Sequence, residues 1–302
     1  MADPKLFKKL VSFGKGHQVE AVYEDSLSSG SSIGTVISFH GSPGSHNDFK
    51  YIRENLETLG IRYIGLNYPG FSNTKSYPGQ SFENDERQMY TDALLKEIDI
   101  SGKIIYIGHS RGCENALQTA VENNAHGLVL CNPIGLRPHR GISPPQRLRN
   151  IERFYDTLPK FLADPFIFQL YKFVGFRPQN PEECISAFRT MNRVMLAGQL
   201  PFIEKLNELK TKVLFLYAGK DHLMEPEIMF EVLEKYKDLV DLKFDEEPEI
   251  EQVLESFEEH KGASVYIKKD NHFQNKFRAD LISKTINSML SPVVFVPQKN
   301  KL

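Results

Sequence analysis

At residues 108–112 the chain reads Gly-His-Ser-Arg-Gly, after the apolar run KIIYIG (103–108) and before CENALQTAV. A serine hydroxyl is a poor nucleophile until an imidazole takes its proton, and that imidazole needs a carboxylate to fix its tautomer. Five residues of this kind are a weak pattern alone. They gain weight where a strand enters the turn and a helix leaves it. Such a turn requires glycine two residues before and two after the serine, where a Cβ would strike neighbouring elements. Gly108 and Gly112 satisfy this, so Ser110 is the candidate nucleophile. The helix that follows would turn its positive end toward the serine.

The partners are sought at other strand ends. Asp221 lies in YAGKDHLMEP (217–226) and His272 in KKDNHFQ (268–274), each just past an apolar run. The order Ser110, Asp221, His272 can converge at one sheet edge. Asp270 competes with Asp221 as the acid, and His222 competes with His272 as the base. Neighbouring residues on an extended chain point to opposite faces, which favours Asp221 and His272 and leaves Asp270 as the second choice of acid. HGSPGSH (40–46) is rich in Gly and Pro and suits a loop curling back toward the serine. Its Ser42 N–H, paired with the Arg111 N–H, would make two donors aimed at one oxyanion. His40 and Gly41 support that turn. His40 either holds the loop by hydrogen bonds or is a satisfied structural histidine. His46 flanks the loop, and His109 is expected to pack against the core.

These residues need a frame that brings strand ends together. From residue 35, apolar runs (35–40, 62–68, 103–108, 127–132, 212–219, 264–269) alternate with helical patterns (48–60, 81–98, from 112, 225–240, 249–260, 277–290). Ser81 is a suitable N-cap for the second of these helices. The alternation predicts an α/β protein, a doubly wound, mostly parallel sheet. KLFKKLVSF (5–13) reads as an edge strand before EAVYED (20–25), and alternatively as a basic amphipathic anchor. Between 133 and 209 no strand pattern appears. The expected organisation is therefore a core of residues 1–133 and 210–302 with an inserted helical cap, 134–209, over the carboxyl ends of the strands, where open α/β folds bind ligands.

The cap segment is dense in aromatics: Phe154, Tyr155, Phe161, Phe166, Phe168, Tyr171, Phe173 and Phe176. Most are expected to pack between cap and core, with a few lining an apolar cavity above Ser110. Arg137, Arg140, Arg147, Arg149 and Arg153 at its start form a solvated face or steer an anionic group. The acidic run at 245–259 is most simply an exposed helix face.

The chain has 302 residues with a formal net charge of −2, so it offers no global basic field for nucleic acid. Its 40% apolar and 25% charged content is that of a soluble globular protein. Cys113, Cys131 and Cys184 show no metal-ligand or disulfide spacing. No apolar run is long enough for a signal peptide or a membrane helix. A cytoplasmic protein acting on a small molecule with an apolar part is expected, without metal or organic cofactor. Peripheral membrane contact is left open, and the oligomeric state is not indicated.

With HGSPG, NYPGFS, GHSRG, AGKD and DNHF in that order, the chain resembles the α/β-hydrolase superfamily from about residue 19 to 290, interrupted by the cap. It is also similar to an animal subfamily for which no particular substrate is implied. The resemblance implies Ser110 as nucleophile, Asp221 as acid, His272 as base, and the Ser42 and Arg111 amides as the oxyanion hole. It implies a serine hydrolase of the carboxylesterase or lipase kind, acting on an ester, thioester or amide through an acyl-enzyme. A carboxylate-nucleophile mechanism is disfavoured because residue 110 is serine. Acyl transfer or carbon–carbon hydrolysis with the same residues, and a non-catalytic ligand-binding or scaffold protein on the same fold, are the alternatives. Asn67, Arg111, Ala218 and Asn271 depart from the usual pattern.

Overall fold

The computed structural model describes residues 5–173 and 178–291. Nine strands form one sheet in the order β1-β2-β4-β3-β5-β6-β7-β9-β8. They are β1 (Leu6–Phe13), β2 (His17–Asp25), β3 (Thr35–Phe39), β4 (Arg62–Gly65), β5 (Ile104–His109), β6 (Gly127–Cys131), β7 (Lys212–Ala218), β8 (Leu239–Phe244) and β9 (Gly262–Ile267). β2 runs antiparallel to β1 and β4, and every pair from β4 to β8 across the sheet is parallel. The central strands are buried along nearly their whole length, all but the first residues of β5 and β7, as their apolar content requires for a sheet covered on both faces.

The helices are α1 (Lys50–Thr58), α2 (Asn84–Lys96), α3 (Gly112–Glu122), α4 (Pro145–Thr157), α5 (Lys160–Phe173), α6 (Pro181–Met191), α7 (Leu200–Glu208), α8 (Pro226–Leu233), α9 (Ile250–Glu259), α10 (Gln274–Phe277) and α11 (Ala279–Leu290). Two buried clusters flank the sheet. One joins it to α2, α3 and the α4–α8 region, and the other joins it to α1, α9 and α11. Because β3, β5, β7 and β9 are parallel near-neighbours, Ser42, Ser110, Asp221 and His272 all leave the same sheet edge. The chain winds one way from β3 to β4 and the other way from β3 to β5, so this edge includes the switch point where α/β sheets open a crevice.

Two local expectations fail. The helix expected over 225–240 stops at Leu233, and Leu239–Phe244 is the outermost strand, β8. Only Leu242 among its residues is buried, so the run of buried apolar side chains that marks the inner strands is missing there. Ser81 is not the N-cap of α2. Glu83 occupies that position, and Ser81 Oγ instead accepts the Glu83 N–H at 3.2 Å. Four helices, α4 to α7, occupy the stretch between β6 and β7. Their aromatics divide: Tyr155 and Tyr171 are buried, whereas Phe154, Phe161, Phe166 and Phe173 are exposed and do not form the expected inner layer. Phe176 lies outside the described residues.

Candidate active site

Ser110 sits at φ +51°, a conformation costly for a residue with a Cβ. The flanking glycines explain how the turn closes. A Cβ on Gly108 would stand 2.6 Å from Cys113 Cα, and one on Gly112 would stand 2.1 Å from the Phe39 carbonyl oxygen. No rotamer relieves a backbone clash, so the serine hydroxyl is held on a sharp bend between β5 and α3. The Ser110 N–H donates to Cys131 O at 2.9 Å, tying the bend to the end of β6.

His272 and Asp221 meet as expected. His272 Nδ1 lies 2.7 Å from Asp221 Oδ2, and both side chains are buried. A carboxylate only accepts, so the proton resides on Nδ1 and leaves Nε2 basic. Asp221 Oδ1 also accepts the N–H groups of Leu223 (2.8 Å) and Met224 (3.0 Å), and Asn132 Nδ2 donates to Oδ2 at 3.3 Å. Burial pushes the Asp221 carboxyl upward, but the His272 hydrogen bond and charge with the two backbone donors outweigh it, and the net shift is downward. Ser110 Oγ makes no hydrogen bond to His272 in this structure. Catalytic contacts of this kind commonly tighten only when substrate is bound.

The competing residues point elsewhere. Asp270 holds Arg278 (Nη2–Oδ1 2.8 Å, Nε–Oδ2 2.9 Å) and the Gln274 amide. His222 is exposed, its ring 6.1 Å from that of His272. His109 is buried as expected, and its Nε2 donates to the His272 carbonyl oxygen at 2.8 Å. Burial, with His272 beside it, pushes His109 down to about 3, so it stays neutral.

The 40–46 loop curls toward the serine. A Cβ on Gly41 would touch both His109 Nδ1 (3.2 Å) and Ser110 Cβ (3.3 Å). His40 is fully buried and holds the loop: Nδ1 donates to Gly41 O (2.7 Å) and Nε2 accepts the Tyr68 N–H (3.1 Å). Burial pushes His40 down to about 3 as well. His46 pairs with Asn67 at 3.0 Å, and Asn67 Nδ2 reaches Val22 O at 2.9 Å. An amide at 67 supplies both a donor and an acceptor there, which a carboxylate would not. Neither the Ser42 N–H nor the Arg111 N–H has an acceptor among the described residues.

The side chain of Arg111 is fully buried beneath the turn. It forms an ion pair with Glu114, donates to Asn84 Oδ1 at 3.0 Å and reaches the Arg193 carbonyl at 3.3 Å. Glu114 in turn accepts the N–H groups of Met195 (2.8 Å) and Leu196 (3.3 Å). Arg111 therefore joins the serine turn to the segment that leads from α6 back to the sheet. Sequence reasoning missed Glu114 and Asn132. Asn132 at φ +47°, directly after β6, is a residue type that tolerates this conformation, and that was its one visible signal.

A cavity of about 390 Å³ opens on Ser42 and Ser110 and is lined mainly by apolar residues of α4, α5 and α6, with Leu223 and Met224. Phe173, 90% exposed, stands on its wall. Among the described residues no group of three or more acidic, His or Cys side chains could hold a metal ion, and no helix is long and apolar enough to cross a membrane.

Residues 3–291 match the family model described as "Alpha/beta hydrolase of unknown function (DUF1057)". An uncharacterized protein of Caenorhabditis elegans is 29% identical over 303 residues, covering 94% of this chain and 85% of that protein. Among solved structures, a thermophilic esterase from Thermogutta terrifontis superposes with a TM-score of 0.64 at 20% identity, covering 94% of this chain and 98% of that one. A haloalkane dehalogenase, DbeA from Bradyrhizobium elkani, superposes with a TM-score of 0.63 at 14% identity, covering 95% and 98%. At such identities the structural matches establish the fold and leave the chemistry to the residues.

Proposed function

Because this chain belongs to the alpha/beta-hydrolase family DUF1057, we propose that its site runs serine-hydrolase chemistry on an ester, thioester or amide with an apolar arm. Ser110 attacks the carbonyl carbon while His272 Nε2 takes the hydroxyl proton. Asp221 holds the ring in the required tautomer and stabilises the imidazolium. The free N–H groups of Ser42 and Arg111 receive the oxyanion, with the positive end of α3 behind them. His272 then protonates the leaving group, the tetrahedral intermediate collapses to an acyl-serine, and a water activated by His272 releases the acid. The apolar arm lies in the cavity under α4 to α6, which in this reading is the cap over residues 134–209.

The observation that carries the proposal is the buried His272–Asp221 pair, its carboxylate fully engaged, at the sheet edge where Ser110 sits at φ +51°. A hydroxyl rather than a carboxylate at position 110 separates the site from alkyl-enzyme chemistry. Treating the protein with a fluorophosphonate probe tests the reading. The expected result is stoichiometric labelling that is lost in Ser110→Ala and strongly slowed in His272→Ala. Folded protein that takes no label refutes it, and labelling that survives Ser110→Ala moves the nucleophile elsewhere.

A further inference from the structure

The outward side of α5 is not that of a solvated helix. Its inward side supplies the buried Ala163, Ile167 and Tyr171. Its outward side carries Phe161 (75% exposed), Leu162 (50%), Phe166 (39%) and Phe173 (90%), with Pro165 also exposed among them. Gln169 and the terminal Lys160 and Lys172 are its only exposed polar residues. A helix that is apolar all round requires cover on both sides. Phe154 of α4, itself 49% exposed, extends the patch by an edge-on contact with Phe166, ring centroids 5.4 Å apart. Contiguous exposed apolar side chains of this kind mark a contact surface.

The charge around the patch selects among the surfaces that could cover it. Arg149, Arg153, Lys160 and Lys172 are exposed, and none is in an ion pair among the described residues. Arg149 donates to the neutral Gln146, and Lys172 Nζ lies 4.1 Å from the Phe168 ring centroid. The three carboxylates of α4 and α5 are all engaged within the protein. Glu152 pairs with Arg193 at 2.9 Å, Asp156 pairs with Arg189 at 2.6 Å, and Asp164 accepts the Tyr155 hydroxyl at 2.6 Å. The two helices therefore present unpaired cations on a chain whose formal net charge is −2. A second copy of this chain is a poor cover, because the two faces would set like charges against each other. A lipid surface with anionic headgroups suits both features. Phe and Leu side chains enter the boundary between headgroups and acyl chains, while Lys160 and Lys172, at the two ends of α5, reach back to the headgroups.

We propose that the outer side of α4 and α5 seats the protein on an anionic lipid surface. The same two helices wall the cavity beside Ser110 through Leu148, Ile151, Leu170 and Phe173. Phe173 belongs to both the cavity wall and the exposed patch, so a docked lipid surface adjoins the cavity. An apolar chain then passes between the two with little of its surface in water. The docking does not rest on the hydrolase reading, but this use of the cavity does.

Vesicle co-sedimentation tests the proposal on the full chain. Vesicles of phosphatidylcholine alone are compared with vesicles in which about a third of the lipid is phosphatidylserine, at physiological ionic strength. Binding to the anionic vesicles should be at least about tenfold tighter, since each cation near the surface is worth about fivefold. Phe161→Ser with Phe166→Ser should lose at least about tenfold, the cost of withdrawing two partly inserted rings. Lys160→Gln with Lys172→Gln should narrow the preference for anionic vesicles. All four side chains are exposed, so both variants should fold, which thermal unfolding checks. Leu10→Ser on β1 replaces another exposed leucine (66%), near Lys8, which is paired with Glu20, and should bind like the wild type. Absence of binding to anionic vesicles overturns the proposal, as does binding that the phenylalanine variant leaves unchanged. A wild-type dimer, by light scattering, that the same variant converts to monomer also overturns it, since a second copy then covers the face. Vesicle binding without fluorophosphonate labelling supports this surface and refutes the hydrolase reading alone.

Discussion

Replacing Arg111 by methionine separates a structural anchor from a bystander. Arg111 and Glu114 both have side chains with 0% exposure and face each other beneath the serine turn. Arg111→Met leaves the Glu114 carboxylate with two backbone donors, Met195 and Leu196, and without its ion-pair partner. Breaking one partner out of a buried pair costs about 3–5 kcal/mol. With an unfolding entropy of about 2.1 cal/mol/K per residue, a chain of this length loses about 5–8 °C in Tm for that cost. The double variant Arg111→Met with Glu114→Gln removes both charges and keeps an oxygen for the Met195 N–H. It should recover at least about 2 kcal/mol of the loss, a coupling typical of contacting residues. Scanning calorimetry on the wild type, both singles and the double gives the cycle, and fluorophosphonate labelling rates report whether the serine turn has shifted. A loss below about 1 kcal/mol in Arg111→Met, or a double variant that loses the sum of the singles, refutes the anchoring role.

Asp221→Asn should preserve the fold and lower kcat on the order of 10³–10⁴-fold, because an amide no longer selects the Nδ1–H tautomer of His272. The folded Asp221 carboxyl lies below its unfolded value of about 3.9, so its stabilisation is complete above that pH and is lost as pH falls through the lower folded value. Thermal scans should therefore show the wild type falling more steeply than Asp221→Asn below about pH 4. Asp48 behaves oppositely: burial, with Glu183 nearby, raises it to about 7 against the Ser45 backbone bond. Its contribution is complete below about pH 4 and lost as pH rises to about 7, so Asp48→Asn should raise Tm at pH 8 and converge with the wild type in acid. Gly112→Ala drives a Cβ into the Phe39 and His40 carbonyls and should cost at least about 3 kcal/mol by calorimetry. Gly79→Ala, at φ +82° with nothing within 4 Å, should cost only about 1–2 kcal/mol of backbone strain.

The parts legible in the sequence are those dictated by short-range geometry. The continuous apolar runs of β3, β5, β6 and β7 announce strands buried on both faces, and the glycines at 108 and 112 announce a turn that no Cβ fits. β8 was illegible because an outer strand lacks the buried apolar run, and because LVDLKF follows a true helix closely enough to be read as its end. The aromatic-rich segment misled for a different reason: apolar character does not specify burial, and Phe161, 75% exposed, obeys no pattern its neighbours lack. Arg111 could not be explained in sequence because, apart from Glu114 three residues on, its partners are far away along the chain. Asn84 and the Arg193 carbonyl become its neighbours only once α2 and the stretch after α6 pack on α3.

The same long-range logic bears on how the candidate site keeps its geometry. From Ser110 the contacts run through its N–H to Cys131 O, along the chain to Asn132, through Nδ2 to Asp221, across Oδ2 to His272, and from the His272 carbonyl to His109, which adjoins Ser110. The circuit ties β5, β6, β7 and β9 together at their carboxyl ends, so a shift of any one loop must break a buried hydrogen bond. The Asn132 N–H adds a brace to Leu216 O at 2.8 Å. A strained residue such as Ser110 persists only where its surroundings over-determine it, and this circuit does so from both sides. The one link it leaves unmade is between Ser110 Oγ and His272 Nε2, the gap in which the proposed chemistry moves a proton.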